Sequence, residues 1–122
     1  MTSIRPDSAE DIYQQGFDLL AAGSPAEAAR AFRSAIHADR THMDAYHGLV
    51  RALRDSGRLE QAIGAALALT ALTPNDPLAH TVLAVSLRQA GHLPEAEAAA
   101  ARARIEEWKM ELRFSRGEDT LP

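Results

Sequence analysis

Three glycines set the length scale of this chain: Gly23, Gly57 and Gly91 stand 34 residues apart. Each keeps the same company. Leu19, Leu53 and Leu87 precede them by four residues, Ala28, Ala62 and Ala96 follow them by five, and Ala35, Leu69 and Ala103 come seven residues later still. Four matched columns at one fixed period mark a repeat array, in which a single unit is too small to bury its own apolar face and must stack on the next.

The residues inside each period explain it. In the first copy Ile12, Gly16, Leu19 and Leu20 recur at helical spacing until Gly23, Ser24 and Pro25 interrupt them. Ser24 to Glu27 predicts a capping box, with Pro25 in the first turn of a second helix whose apolar face is Ala28, Ala31, Phe32, Ala35 and Ile36. The second copy runs Tyr46, Leu49, Val50 and Leu53, breaks at Asp55 to Gly57, and resumes with Ala62, Ile63, Ala66 and Leu69. Asp76 is then a cap and Pro77 a first-turn residue. The third copy has Leu83, Ala84 and Leu87, the Gly91 turn, and Ala96, Ala99, Ala100 and Ala103. Every unit is helix–turn–helix, with glycine as the left-handed residue where the first helix ends. Composition agrees. The chain has 25 alanines against 6 aromatic residues, and alanine favours helix and close approach while burying little area, so such a core needs many helix–helix contacts.

This pattern resembles the tetratricopeptide repeat family over residues 9–110. The small residue midway along the first helix is Gly16, Val50 or Ala84, and the turn glycine with its following alanine occurs in all three copies. The large aromatic of the second helix is present only as Phe32, with Ala66 and Ala100 in its place later, and the closing proline only as Pro74, with Arg40 and Trp108 elsewhere. The resemblance implies an all-α fold, a right-handed superhelical solenoid of three helix–turn–helix repeats with an extended C-terminal helix. Its expected divisions are an N-terminal segment 1–8, repeats at 9–42, 43–76 and 77–110, and a helix extension with a flexible tail at 111–122. Ala101, Ile105, Trp108 and Leu112 form one stripe at spacings of four, three and four, expected to cover the last repeat with Trp108 in the core of that cap.

The bulk properties exclude several functions. At 122 residues the chain is a single domain's worth. A net charge of −4 and the lack of any Lys/Arg run argue against a nucleic-acid partner. The absence of cysteine removes disulfides, thiolate chemistry and Cys-bound zinc. The N-terminus carries acids and Pro6 where a signal peptide needs an apolar stretch, and no apolar run could span a membrane, so a cytoplasmic protein with no membrane partner is expected. One lysine against twelve arginines points to a GC-rich bacterial source. There is no phosphate loop and no nucleophile elbow. His37, His42 and His47 are five apart, on different sides of any helix, and His80 occupies a core position. Glu106 and Glu107 are neighbours that point apart and are expected on a solvated face. No enzyme activity, cofactor or metal is expected.

In this family the first helix of each repeat lines a concave groove. The resemblance therefore implies groove residues Glu10, Tyr13, Phe17, Leu20 and Ala21 from the first copy, Asp44, His47, Arg51, Arg54 and Asp55 from the second, and Leu78, Thr81, Val85, Arg88 and Gln89 from the third. Of these, Tyr13, Phe17, Leu20, His47, Arg51, Arg54, Thr81, Val85 and Arg88 are the expected partner-binding residues. Arg88 follows Arg54 by one period, so stacking is expected to set the two side by side. Guanidinium forks suit carboxylates, so the implied partner is a protein or peptide with an acidic residue and an apolar anchor. Two alternatives stay open: Asp44 and Asp55 neutralise the arginines within the fold, or Tyr13, Phe17 and Leu20 are covered by residues 4–8 or a second subunit. Tyr13, Phe17 and Val82 stand where a clamp for chaperone C-termini would place polar or basic groups, so that clamp is not expected. The expected function is a scaffold or adaptor. The alternatives are a structural subunit of a larger complex, a self-associating protein that forms a homo-oligomer, or a chaperone that holds a client.

Overall fold

Each 34-residue period folds as a pair of helices. The computed structural model describes residues 8–117, and these hold α1 (Ala9–Ala21), α2 (Pro25–Ala38), α3 (Met43–Asp55), α4 (Leu59–Leu72), α5 (Pro77–Gln89) and α6 (Leu93–Ser115), with no strand among them. The N-terminal segment as far as residue 7 and the tail from residue 118 lie outside the described residues.

The Leu–Gly spacing of the sequence has a hydrogen-bonding cause. Gly23, Gly57 and Gly91 have φ of +82°, +77° and +86°, a left-handed conformation that costs glycine no Cβ clash. That turn carries the next residue's N–H back to a carbonyl five residues earlier: Ser24 to Leu19 at 2.9 Å, Arg58 to Leu53 at 2.8 Å and His92 to Leu87 at 2.9 Å. The paired leucine and glycine columns are thus the two ends of one helix-terminating motif.

The same turn explains one departure from expectation. Ser24 makes no side-chain cap bond, so the predicted capping box with Glu27 does not form. Ser24, Arg58 and His92 each finish one helix and start the next, with ψ near 66°, 67° and 71° rather than the extended backbone that side-chain capping uses. Caps form on the odd-numbered helices. Ser8 and Asp11 make a capping box on α1, Asp76 accepts from the Leu78 N–H at 3.0 Å on α5, and the His42 ring accepts from the Ala45 N–H on α3.

Consecutive helices pack in order, and the odd-numbered helices also lie close to one another, α1 to α3 and α3 to α5, whereas the backbones of the even-numbered helices stand further apart. The array therefore curves with the odd helices inside. Ala28, Ala62 and Ala96 are fully buried at the matching place in all three units. Phe32, also fully buried, plugs the junction of the first and second units.

The last helix corrects two expectations. The face of α6 that is buried is Ala96, Ala99, Ala103 and Glu106, and α6 packs on α5 alone. Ile105 and Trp108 are 47% and 59% exposed, so Trp108 is not a cap-core residue, and of its stripe just Ala101 and Leu112 are half-buried. The small side chains at 96, 99 and 103 let α6 sit close on α5, and the Ile105–Trp108 stripe lies about 170° round the helix from them. Glu106, expected in solvent, is only 1% exposed. It survives there because Arg102 Nε and Lys109 Nζ donate to its Oε1 at 2.9 and 3.4 Å. Burial alone would raise its carboxyl pKa, but the hydrogen bonds and charges of Arg102 and Lys109 outweigh this and hold it below its ordinary value. His80 is buried as expected, its Nε2–H donating to the Pro74 carbonyl at 2.7 Å and tying down the α4–α5 loop.

Candidate functional site

On the inner, odd-helix side, α1 and α3 diverge around one cleft. Tyr13, Phe17 and Leu20 recur at four- and three-residue spacing along α1, and Asp44, His47, Gly48 and Arg51 do the same along α3. Together with Phe32 at the back they enclose about 180 Å³. A smaller hollow of about 100 Å³, bounded by Phe17, Leu20, Ala21 and Arg51, continues it. Gly48 is what keeps the cleft deep, because the Phe32 ring fills the space its side chain would occupy.

The aromatic wall is ordered. Tyr13 lies 5.8 Å from Phe32, 6.4 Å from Phe17 and 5.0 Å from the His42 ring, centroid to centroid, distances at which tilted rings attract. His42 Nε2 in turn donates to Glu10 at 2.8 Å. Since Nδ1 of the same ring accepts the Ala45 N–H, the ring's hydrogen sits on Nε2 and the imidazole couples the start of α3 to α1. The His42 hydrogen bond, with a second from Gln14, holds the Glu10 carboxyl below its ordinary value. Burial, aided by the charges of Asp44 and Glu10, pushes the Tyr13 phenol up. Phe17 remains 51% exposed, an aromatic face open at the cleft mouth.

Of the residues expected to bind a partner, the structure brings Tyr13, Phe17, Leu20, His47 and Arg51 to this one cleft. The others lie further along the inner layer. Arg54 donates through Nε to Gln89 Oε1 at 2.9 Å. Arg88 pairs with Glu97 at 3.4 Å, and Arg51 with Asp55 at 3.8 Å. All three pairs are exposed, so each holds its guanidinium loosely and is worth well under about 1 kcal/mol. Thr81 is exposed, its hydroxyl donating to the Pro77 carbonyl, and Val85 is half-buried; neither borders the cleft.

Sequence reasoning missed two features. His42 and Gly48 are positioning residues of the cleft, and a histidine cap carries no strong sequence signal, while Gly48 has no counterpart one period away: Gln14 and Val82 stand there. The outer face of α2 carries Arg30, Arg33 and His37 in one line, and Arg40 follows in the turn after the helix; Arg33, His37 and Arg40 border a shallow hollow of about 290 Å³ with Ile36 and Tyr46. Arg33 donates to Gln61 at 2.6 Å, and among the described residues no carboxylate lies within 4.0 Å of these four. Among the described residues no three His, Asp or Glu side chains converge as metal ligands would, and no helix is long and apolar enough to cross a membrane.

Comparison with known proteins places this geometry. The sequence profile described as tetratricopeptide repeat matches residues 19–86. No curated protein sequence matches. Among solved structures the chain is similar to MamA, with 24% identity and a TM-score of 0.79, over 85% of this chain and 61% of MamA. It thus spans about three fifths of that protein's length. It is also similar to SycD, the type III secretion translocator chaperone of Yersinia enterocolitica, with 20% identity and a TM-score of 0.77 over 97% of this chain and 89% of SycD. SycD in complex with a peptide of the translocator YopD gives 23% identity and a TM-score of 0.75 over 94% and 92% of the two chains. At these identities the likeness is one of fold.

Proposed function

Because the chain belongs to the tetratricopeptide repeat family, we propose that it is a protein-interaction scaffold whose α1–α3 cleft seats one apolar anchor of a partner peptide, with an acidic residue of that peptide on Arg51. The observation that carries the reading is the cleft itself: an apolar back of Phe32, Tyr13 and Leu20 under an open rim that holds Asp44 and Arg51. Its volume of about 180 Å³ suits a single side chain and falls short of the roughly 300–1,000 Å³ of small-molecule sites. Arg54, Thr81, Val85 and Arg88 extend the same inner layer and would meet residues flanking the anchor. That SycD, similar in fold, is solved with a translocator peptide supports a peptide as the ligand class. The same likeness keeps a client-holding chaperone as the second reading, in which the cleft accepts many apolar anchors with little demand on the flanking residues.

Selection from a displayed library of unstructured peptides tests both. The adaptor reading expects enrichment of an apolar residue followed or preceded closely by Asp or Glu, and loss of those peptides on Phe17→Ala. Enrichment of apolar anchors with no acidic preference would favour the chaperone reading. Enriched peptides that bind Phe17→Ala unchanged would remove the cleft from both.

A further inference from the structure

The apolar stripe of α6 is open at its centre and half-buried at its ends, Ala101 and Leu112, and its spacing is self-complementary. Ala101, Ile105, Trp108 and Leu112 are separated by four, three and four residues, a sequence of steps that reads the same in both directions. The stripe faces about 170° away from the side of α6 that packs on α5, and no other helix among the described residues reaches α6. Ile105 and Trp108 at its centre are 47% and 59% exposed. α6 also outruns its support: it has 23 residues against 13 in α5. The overhanging end carries Met110 and Phe114 exposed as well, and a helix apolar on more than one side is one that something else covers.

We propose that the occupant is α6 of a second copy of this chain, laid antiparallel across a two-fold axis between residues 106 and 107. In that arrangement Ile105 meets Trp108 of the second copy and Ala101 meets Leu112, so a small residue faces a large one at each end. These are the alternating layers of an antiparallel coiled coil. One flank then brings Arg104 to Glu111 of the other copy, twice by symmetry. On the other flank Arg102 approaches Lys109 of the second copy, and each is already held by its own Glu106. Residues 107–112 come to rest on residues 101–106 of the second copy. Because the stripe is opposite the α5 face, the bodies of the two copies lie on either side of the α6 pair without collision. The contact is isologous, so it closes at a dimer, and both clefts stay open. Spanning only about 16 Å of helix, it belongs with the smaller specific interfaces, so the dimer is expected to dissociate in the micromolar range.

Trp108 is the only tryptophan and reports its own burial. Sedimentation and tryptophan emission are followed from about 1 µM to 1 mM on the full chain. A dimer that forms with a blue shift of Trp108 emission supports the proposal, provided Ile105→Arg abolishes it, Arg104→Glu weakens it at least tenfold and Arg104→Glu with Glu111→Arg restores it. A chain that stays monomeric at 1 mM overturns it. So does a dimer indifferent to Ile105→Arg, or one that the paired charge reversal fails to restore, since a parallel pair or a different surface would then be at work. Ile105 and Arg104 are exposed, and circular dichroism of each variant monomer checks that folding is intact.

Discussion

Gly48 and Phe32 are fitted to each other across the first repeat junction. A methyl group added at Gly48 would stand 2.6 Å from Phe32 Cε1, and one added at Gly16 would stand 2.8 Å from the same atom. The ring of α2 therefore packs directly on a glycine of its own repeat and a glycine of the next. This is how a single large side chain reaches α1 and α3 at once while the cleft in front of it stays open.

Gly48→Ala should destabilise the chain. Alanine gains up to about 1 kcal/mol of helix propensity over glycine, but a fully buried ring has no room to give, and overpacking of this kind costs about 1–3 kcal/mol. Phe32→Leu alone should cost a similar amount by leaving a void. Combining the two should cost less than their sum, because the smaller side chain vacates the space the new methyl needs. Urea midpoints of the four proteins in a double-mutant cycle check this. Strict additivity would mean that the ring and the glycine are not in contact.

The cleft should separate anchoring from charge. Phe17 and Arg51 are both exposed, so Phe17→Ala and Arg51→Ala are each expected to shift stability by less than about 0.5 kcal/mol. For a peptide selected on the wild type, each should weaken binding about tenfold, which is about 1.4 kcal/mol. They should differ in salt response. Affinity of the Phe17→Ala protein should still fall as salt rises, whereas that of Arg51→Ala should depend on salt much less, since its ion pair with the peptide is gone. Titration calorimetry at two salt concentrations distinguishes them.

Stability should peak at mildly acidic pH. The His92 pKa is raised above 6.5, chiefly by its hydrogen bond to Glu60 at 2.7 Å and then by that carboxylate's charge. A raised folded value means that the contribution is complete below about 6.5, the unfolded value, and is lost as pH climbs through the folded one. Glu10 and Glu106 are lowered from 4.5, so their contributions are present above 4.5 and are lost as pH falls through their folded values. Between these limits stability should be flat. His92→Gln should erase the decline on the alkaline side and leave the acid side as it was, read from urea midpoints between pH 3 and 9. An unchanged alkaline limb in His92→Gln would assign that limb to another group.

The fold was legible because its signals are local and periodic. The Leu–Gly spacing encodes a helix ending, and alanines at Ala28, Ala62 and Ala96 encode close helix contacts, so helix order and pairing follow from the sequence. The aromatic half of the site was legible for the same reason: Tyr13, Phe17 and Leu20 lie on one helix at one periodicity. What failed depended on which way a helix is turned. Both the Ala96–Ala103 face and the Ile105–Trp108 face of α6 read as apolar, and the one with the smaller side chains is the one that sits close on α5. Glu106 was misplaced because a carboxylate enters a buried face only when bases at 102 and 109 happen to reach it. That Arg54 takes Gln89 as its hydrogen-bond partner turns on side-chain rotamers, which a 34-residue period does not encode.

Two glycines near each other in sequence should respond to alanine with opposite sign. Gly57 holds φ at +77° in the turn after α3; there is space for a methyl group, but the left-handed backbone itself costs a residue with a Cβ about 1–2 kcal/mol. Gly64 lies inside α4 with helical backbone, is exposed, and has nothing within 4 Å of an added Cβ. Gly64→Ala should stabilise by about 0.5–1 kcal/mol through helix propensity and a less flexible unfolded chain. Thermal melts of the two variants should therefore bracket the wild type, Gly57→Ala below and Gly64→Ala above. If Gly64→Ala instead melted lower, that face of α4 would have to be covered by something other than solvent, and a second contact surface would need to be sought there.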